Sequence, residues 1–159
     1  MGSCKIGGRC LQNRLTGPMQ EALDSLVRKL DRKIDLRWVE EMRLGKPAYD
    51  HLIGCVRAKT LTRHQLTNAL TGLFTLRGHG SEEEVFALLR DHTTHREIRV
   101  RSKAVCLLIG MMKLHRLRPP YDQGSSIDQI KAGIALGLYA PIASLANDFL
   151  EQPSSVFKQ

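Results

Sequence analysis

The most informative part of the chain reads Val100-Arg101-Ser102-Lys103-Ala104-Val105-Cys106-Leu107-Leu108-Ile109-Gly110. With its flanks it predicts a helix from about Glu97 to Leu114, which is apolar on most of its circumference after Ala104. The apolar part, Ala104 to Met112, is about half of the roughly 20 residues that a membrane-spanning helix needs. We therefore expect the central, most buried helix of a globular domain, and no membrane segment.

Apolar residues at helical spacing continue on both sides of this run. Thr62 or Thr60 is a suitable N-cap for one helix, and Ser81 followed by three glutamates predicts the start of another. Ser126, with Gln129 three residues later, predicts a third cap. The expected helices are 18–32, 36–44, one opened by Pro47, 62–77, one from Ser81, 97–114, 127–138 and 141–151. Because no run of convincing length alternates between apolar and polar residues, the predicted fold class is all-α with about seven or eight helices.

One short pattern occurs twice. Alignment of 66–73 with the later helix places Ala69 on Ala104, an offset of 35 residues. That spacing is near the length of helix-pair repeats, whose units cannot bury their apolar faces alone and therefore stack.

The segment Val85 to Asp91, followed by Val100 to Gly110, resembles the junction between two HEAT repeats. In that family a Leu-Leu-x-Asp-like helix end precedes a helix that begins Val-Arg-x-x-Ala. The resemblance is clear over about 62–112. It implies an α-α superhelix of stacked antiparallel helix pairs, a concave surface lined by second helices, and a role in scaffolding or partner binding. It implies no single activity.

Composition sets the remaining limits. We expect a flexible leader over 1–17, a single domain over 18–152 and a flexible tail over 153–159, because glycines are frequent in the first segment and Pro153 ends the last helix. The N-terminus lacks the apolar run of a secretory signal, and the four cysteines show no Cys-x-x-Cys spacing. These features favour a cytoplasmic protein with structural thiols.

A protein partner is the first functional expectation. Large amphipathic rings dominate binding hot spots when they are exposed. Trp38 and Tyr49 are the candidate rings, although Trp38 could simply pack the N-terminal helices together. The set expected on the concave surface has mixed charge, which suits a protein better than a polyanion, and comprises Tyr49, Asp50, Arg57, Glu83, Glu84 and Arg90.

Nucleic acid is the alternative partner. The net charge is +8, and the stretch 92–118 is strongly basic. Phosphate contacts need only positioned positive charge, but no aromatic residues are interleaved here to stack bases. The candidate phosphate-binding residues are Arg96, Arg99, Arg101, Lys103, Lys113, Arg116 and Arg118.

Catalytic and metal chemistry have weaker signals. His92 and His95 are three residues apart beside Asp91 and could share a helix face, but histidine is also favoured at a helix end by the dipole. No nucleophile elbow or phosphate-cradling glycine loop occurs. We therefore expect no catalytic residues, no bound metal and no cofactor, and we interpret the chain as a small adaptor or scaffold.

Overall fold

The computed structural model describes residues 17–30, 44–114 and 123–151. These residues form seven α-helices and no strand, which confirms the all-α fold class. The helices are α1 (Gly17–Lys29), α2 (Gly45–Ala58), α3 (Arg63–Thr75), α4 (Glu82–His92), α5 (Ile98–Leu114), α6 (Gln123–Ala135) and α7 (Ala143–Glu151). Two short 3-10 turns, Arg77–His79 and Ala140–Ile142, precede α4 and α7.

Consecutive helices pack as pairs. Helix α2 packs on α3, α4 on α5 and α6 on α7, while α1 packs on α2. The second helices of these pairs also contact one another, because α5 packs against both α3 and α7. Helix α5 therefore occupies the centre of the fold, as its apolar circumference predicts.

The core centres on α5. Its fully buried residues include Val100, Ala104, Val105, Met111 and Met112. Gly110 faces α3, where a Cβ would lie 3.4 Å from the ring of Phe74. The small residues of α5 thus allow the close helix approach that the sequence indicates.

Two predicted helix starts are confirmed by their caps. The Thr62 hydroxyl accepts a hydrogen bond from the Gln65 amide at 3.2 Å, and the Gln65 side chain accepts one from the Thr62 amide at 3.1 Å. Ser81 Oγ accepts a hydrogen bond from the Glu84 amide at 3.2 Å. Helix α2 ends at Ala58 and is capped by Lys59, whose left-handed backbone (φ 55°) turns the chain toward α3.

The C-terminal pair is fixed to the end of α4 by a polar cluster. Thr93 is fully buried; its hydroxyl donates to the Arg90 carbonyl at 2.6 Å and accepts from Gln129 Nε2 at 2.5 Å. Tyr139 donates its hydroxyl to the Thr93 carbonyl at 3.0 Å. Arg101 donates to the carbonyls of Leu138, at 2.5 Å, and Arg96, at 2.9 Å.

The predicted cap at Ser126 is wrong. Helix α6 begins at Gln123, so Ser126 lies inside it and is buried. Gln129, the expected partner in that cap, donates its side-chain amide to Thr93 instead. The last helix also starts later than Pro141, after the 3-10 turn. The predicted tail 153–159, the predicted leader 1–17 except Gly17, and the predicted helix 36–44 with Trp38, except Leu44, lie outside the described residues.

No single helix within the described ranges is both long enough and apolar enough to cross a bilayer. Two adjacent segments, Ser126–Ala135 and Ala140–Glu151, pass the length and composition test only together, and they are bent by 110° relative to each other.

Candidate binding site

A cleft of about 680 Å³ opens between the C-terminal ends of α2 and α4, with the start of α3 between them. We call it the binding cleft. Its apolar lining consists of Val56, Leu61, Leu66 and Leu88. Its polar and charged lining consists of Cys55, Arg57, Lys59, Asp91, His92, His95 and Arg96. The volume lies in the range of roughly 300–1,000 Å³ that is usual for ligand-binding clefts.

Beside the binding cleft, a hydrogen-bond network joins α2 to the start of α4. The Tyr49 hydroxyl donates to the Ser81 carbonyl at 2.8 Å and accepts from the Ser81 amide at 3.2 Å. Arg57 pairs with the Glu84 carboxylate at 2.5 Å. Burial, followed by the negative charge of Glu84, raises the pKa of Tyr49, so its hydroxyl remains protonated at neutral pH. The ring lies directly over Gly80, where any Cβ would overlap it.

Three members of the expected protein-binding set therefore meet, namely Tyr49, Arg57 and Glu84. Tyr49 is only 2% exposed, so the expectation of an exposed aromatic anchor at this position is wrong. The exposed Asp50 pairs with Lys46 on its own helix at 3.3 Å. Glu83 is exposed and Arg90 is half-buried.

The six residues of that set lie on α2 and α4, the first helices of two neighbouring pairs. The resemblance to HEAT repeats implies that second helices line the concave surface. Because α2 pairs with α3 and α4 with α5, the second helices of these pairs are α3 and α5, and the six residues do not lie on them.

The rim of the binding cleft carries cations that are free to meet a ligand. Within the described part of the chain, the side chains of Lys59 and Arg96 make no hydrogen bond or ion pair, and both are exposed. The Asp91 side chain is likewise exposed and unpaired within those ranges. The rim therefore carries a net positive charge, although it includes one carboxylate.

The two histidines present different chemistry to the binding cleft. His92 Nδ1 lies 2.7 Å from the Leu88 carbonyl, which only accepts, so Nδ1 carries a proton and donates it to this carbonyl. His95 Nδ1 accepts from the Glu97 amide at 3.0 Å, so its proton is on Nε2. The rings stack with centroids 6.0 Å apart. Burial, then the charges of His92 and Arg96, lowers the pKa of His95, which keeps this ring neutral at pH 7.

The His, Cys, Asp and Glu side chains are the groups that bear on metal and thiol chemistry. Among the residues that the structure describes, no group of three or more His, Cys, Asp or Glu side chains is arranged to hold a metal ion. Cys55 and Cys106 are free thiols. Burial raises the pKa of Cys55, so its thiol is protonated at neutral pH and is a weak nucleophile.

The candidate phosphate-binding residues divide into four groups. Arg99, Lys103 and Lys113 lie on the same side of α5, because their spacing repeats at helical intervals, and none of them is buried. We call these three residues the α5 stripe. Arg96 belongs to the binding cleft, and Arg101 uses its guanidinium on backbone carbonyls. Arg116 and Arg118 lie outside the described residues.

Sequence reasoning did not select Lys59, Leu61, Leu66 or Leu88 as site residues. No local signal marks them as a group, because they come from three different helices or their ends. A basic residue at a helix end followed by a capping threonine does indicate a turn, and Lys59 fits that pattern.

Comparison of the chain with protein-family models, with curated proteins and with solved structures finds no match to any of the three.

Proposed function

We propose that this chain is a small HEAT-like adaptor or scaffold of the cytoplasm, which binds another protein and catalyses no reaction itself. The observation that carries the proposal is the binding cleft, in which an apolar floor is bordered by free cationic side chains. Such a surface is complementary to a partner that has both apolar and acidic groups. Complementary charges around an apolar centre contribute to the specificity of protein interfaces.

Three further features support this proposal. The helix pairs present the binding cleft on packed elements, which position a site better than mobile loops do. Contacts among the second helices are what a stacked repeat requires. The free thiols of Cys55 and Cys106 fit a reducing compartment.

The test is affinity capture with the tagged protein from cell extract at near-physiological salt, with and without nuclease. We expect one protein to be recovered in near-stoichiometric amount under both conditions. It should also be recovered by Arg99→Glu/Lys103→Glu, which reverses two charges of the α5 stripe. Recovery that requires intact nucleic acid, or no stoichiometric protein at all, would contradict the adaptor function.

A second candidate function is phosphate-backbone binding through the α5 stripe. Arg99 and Lys113 are 14 residues apart, which corresponds to roughly 21 Å along a helix, and this side of α5 carries no acidic residue. Such a row can follow a phosphate backbone. Arg99→Glu/Lys103→Glu should then abolish binding to short DNA and RNA duplexes and single strands in a fluorescence-anisotropy titration. Binding that is absent at physiological salt would rule this candidate out.

A further inference from the structure

The geometry points to a specific occupant of the binding cleft: a short acidic segment of the partner protein, with a carboxylate between Lys59 and Arg96 and a neighbouring large apolar side chain on the floor. This inference rests on the proposed function and specifies the chemistry of the partner at the same site.

The floor supplies the apolar part of this recognition. Leu61, Leu66 and Leu88 are only partly buried and pack against the core, so each presents some apolar surface to the binding cleft. Val56 is 4% exposed and closes the base. A leucine- or phenylalanine-sized side chain would remove that surface from water, which stabilises a complex in proportion to the area covered.

The rim supplies the charge. Arg57 is already paired with Glu84 at 2.5 Å, whereas Lys59 and Arg96 have no side-chain partner in the described part of the chain. Lys59 follows α2 and Arg96 precedes α5, so packed helices position both backbones. Two unpaired cations beside an apolar floor favour a carboxylate as the ligand group.

His95 and Asp91 favour a peptide over a bare phosphate backbone. His95 Nε2–H is a donor, while the Asp91 carboxylate is an acceptor. A peptide offers N–H groups to this acceptor as well as carbonyls to the donor. A phosphate group offers no N–H donor to the Asp91 carboxylate. No Phe, Trp or Tyr side chain lines the binding cleft for base stacking.

The test uses fluorescent ten-residue peptides in which Glu alternates with Leu, together with counterparts that carry Lys for Glu or Ser for Leu. Anisotropy titrations compare wild type, Lys59→Glu/Arg96→Glu and the matched control Arg99→Glu/Lys103→Glu. The first double variant and the control change the net charge equally, but only the first alters the binding cleft. Because Lys59 has a left-handed backbone, Lys59→Asn/Arg96→Gln provides a neutral version at a residue type that tolerates this conformation.

We expect saturable binding of the Glu/Leu peptide by wild type and by the control. The cleft reversal should weaken it at least about tenfold, because a paired charge becomes a repulsive one, and the neutral variant should weaken it less. Both counterpart peptides should bind more weakly than the parent. Circular dichroism and thermal melts confirm that each variant is folded.

An equal loss of peptide affinity in both double variants would overturn the inference, because it would show that the net charge of the protein alone attracts the peptide. Absence of saturable binding below 1 mM, or equal binding of the Ser-for-Leu peptide, would also overturn it. If affinity capture still recovers a stoichiometric protein that is insensitive to Lys59→Glu/Arg96→Glu, the inference fails while the adaptor function stands. If capture recovers none, the function itself fails.

Discussion

Thr93 links the C-terminal helices to the end of α4 through two of its polar groups. It is fully buried, and both its hydroxyl and its carbonyl are used, by Gln129 and Tyr139 respectively. Removing one partner from a buried hydrogen bond costs more than the bond contributes, because the other partner loses its water without compensation.

We therefore expect Thr93→Val to lower the free energy of unfolding by about 1–3 kcal/mol. Valine matches the shape of threonine but leaves the Gln129 amide without its acceptor. The control is Thr94→Val, since Thr94 is exposed and donates only to the nearby Asp91 carbonyl at 3.3 Å. Urea denaturation should show a change within about 0.5 kcal/mol for this control; similar losses in the two variants would contradict the role of Thr93.

His95 makes stability depend on pH. Its pKa is lowered in the folded state, so the folded protein binds this proton less readily than the unfolded chain does. Stability is therefore unaffected by His95 above about pH 6.5, the pKa of a free histidine, and falls as the pH decreases from that value through the folded pKa. Protonation also removes the acceptor that Nδ1 offers to the Glu97 amide.

His95→Gln should reduce this loss, because glutamine does not titrate. Melting temperatures measured between pH 7.5 and 5.0 should fall less steeply in His95→Gln than in wild type. Thr94→Val, which changes an exposed side chain beside His95 and removes no titrating group, should follow the wild-type curve. Parallel curves for wild type and His95→Gln would show that His95 is not a source of the acid sensitivity.

At the scale of the helices, two glycines test the packing. In α6, a Cβ on Gly133 would overlap the ring of Tyr139, whereas in α2 a Cβ on Gly54 would meet nothing within 4 Å. Gly133→Ala should lower the free energy of unfolding by about 1–3 kcal/mol through overpacking. Gly54→Ala should raise it by up to about 1 kcal/mol, since alanine is the better helix former.

Thermal or urea denaturation of the two variants measures both effects in one experiment. A destabilised Gly54→Ala would mean that the exposed face of α2 is covered in solution, and an unchanged Gly133→Ala would mean that Tyr139 does not pack on α6.

The helices differ in how far the sequence predicts them. Helices α3, α4 and α5 are predicted well, because their caps and apolar spacing are local signals. The start of α6 is predicted wrongly, since Gln129 takes a partner 36 residues away. The burial of Tyr49 is missed for the same reason, because its hydroxyl forms a hydrogen bond with Ser81, 32 residues away.

At the scale of the whole molecule, the binding cleft was the least predictable feature. Its lining comes from the ends of α2 and α4 and from the start of α3, so neither periodicity nor motif spacing assembles it. The basic stretch, by contrast, was visible in the sequence, but the fold distributes its residues. Arg96 goes to the binding cleft, Arg101 to backbone carbonyls and three residues to the α5 stripe.

The reactivity of two thiols in the same molecule can show which surface a partner covers. Cys55 lines the binding cleft, while Cys106 lies half-buried on the side of α5 that carries the α5 stripe. The measurement is the alkylation rate of each thiol, followed by mass spectrometry, for the protein alone and saturated with its captured partner. Because thiol reactivity depends on access, Cys55 should slow at least about tenfold while Cys106 keeps its rate. An unchanged Cys55, or slowing at Cys106 instead, would contradict the assignment of the binding cleft as the partner site.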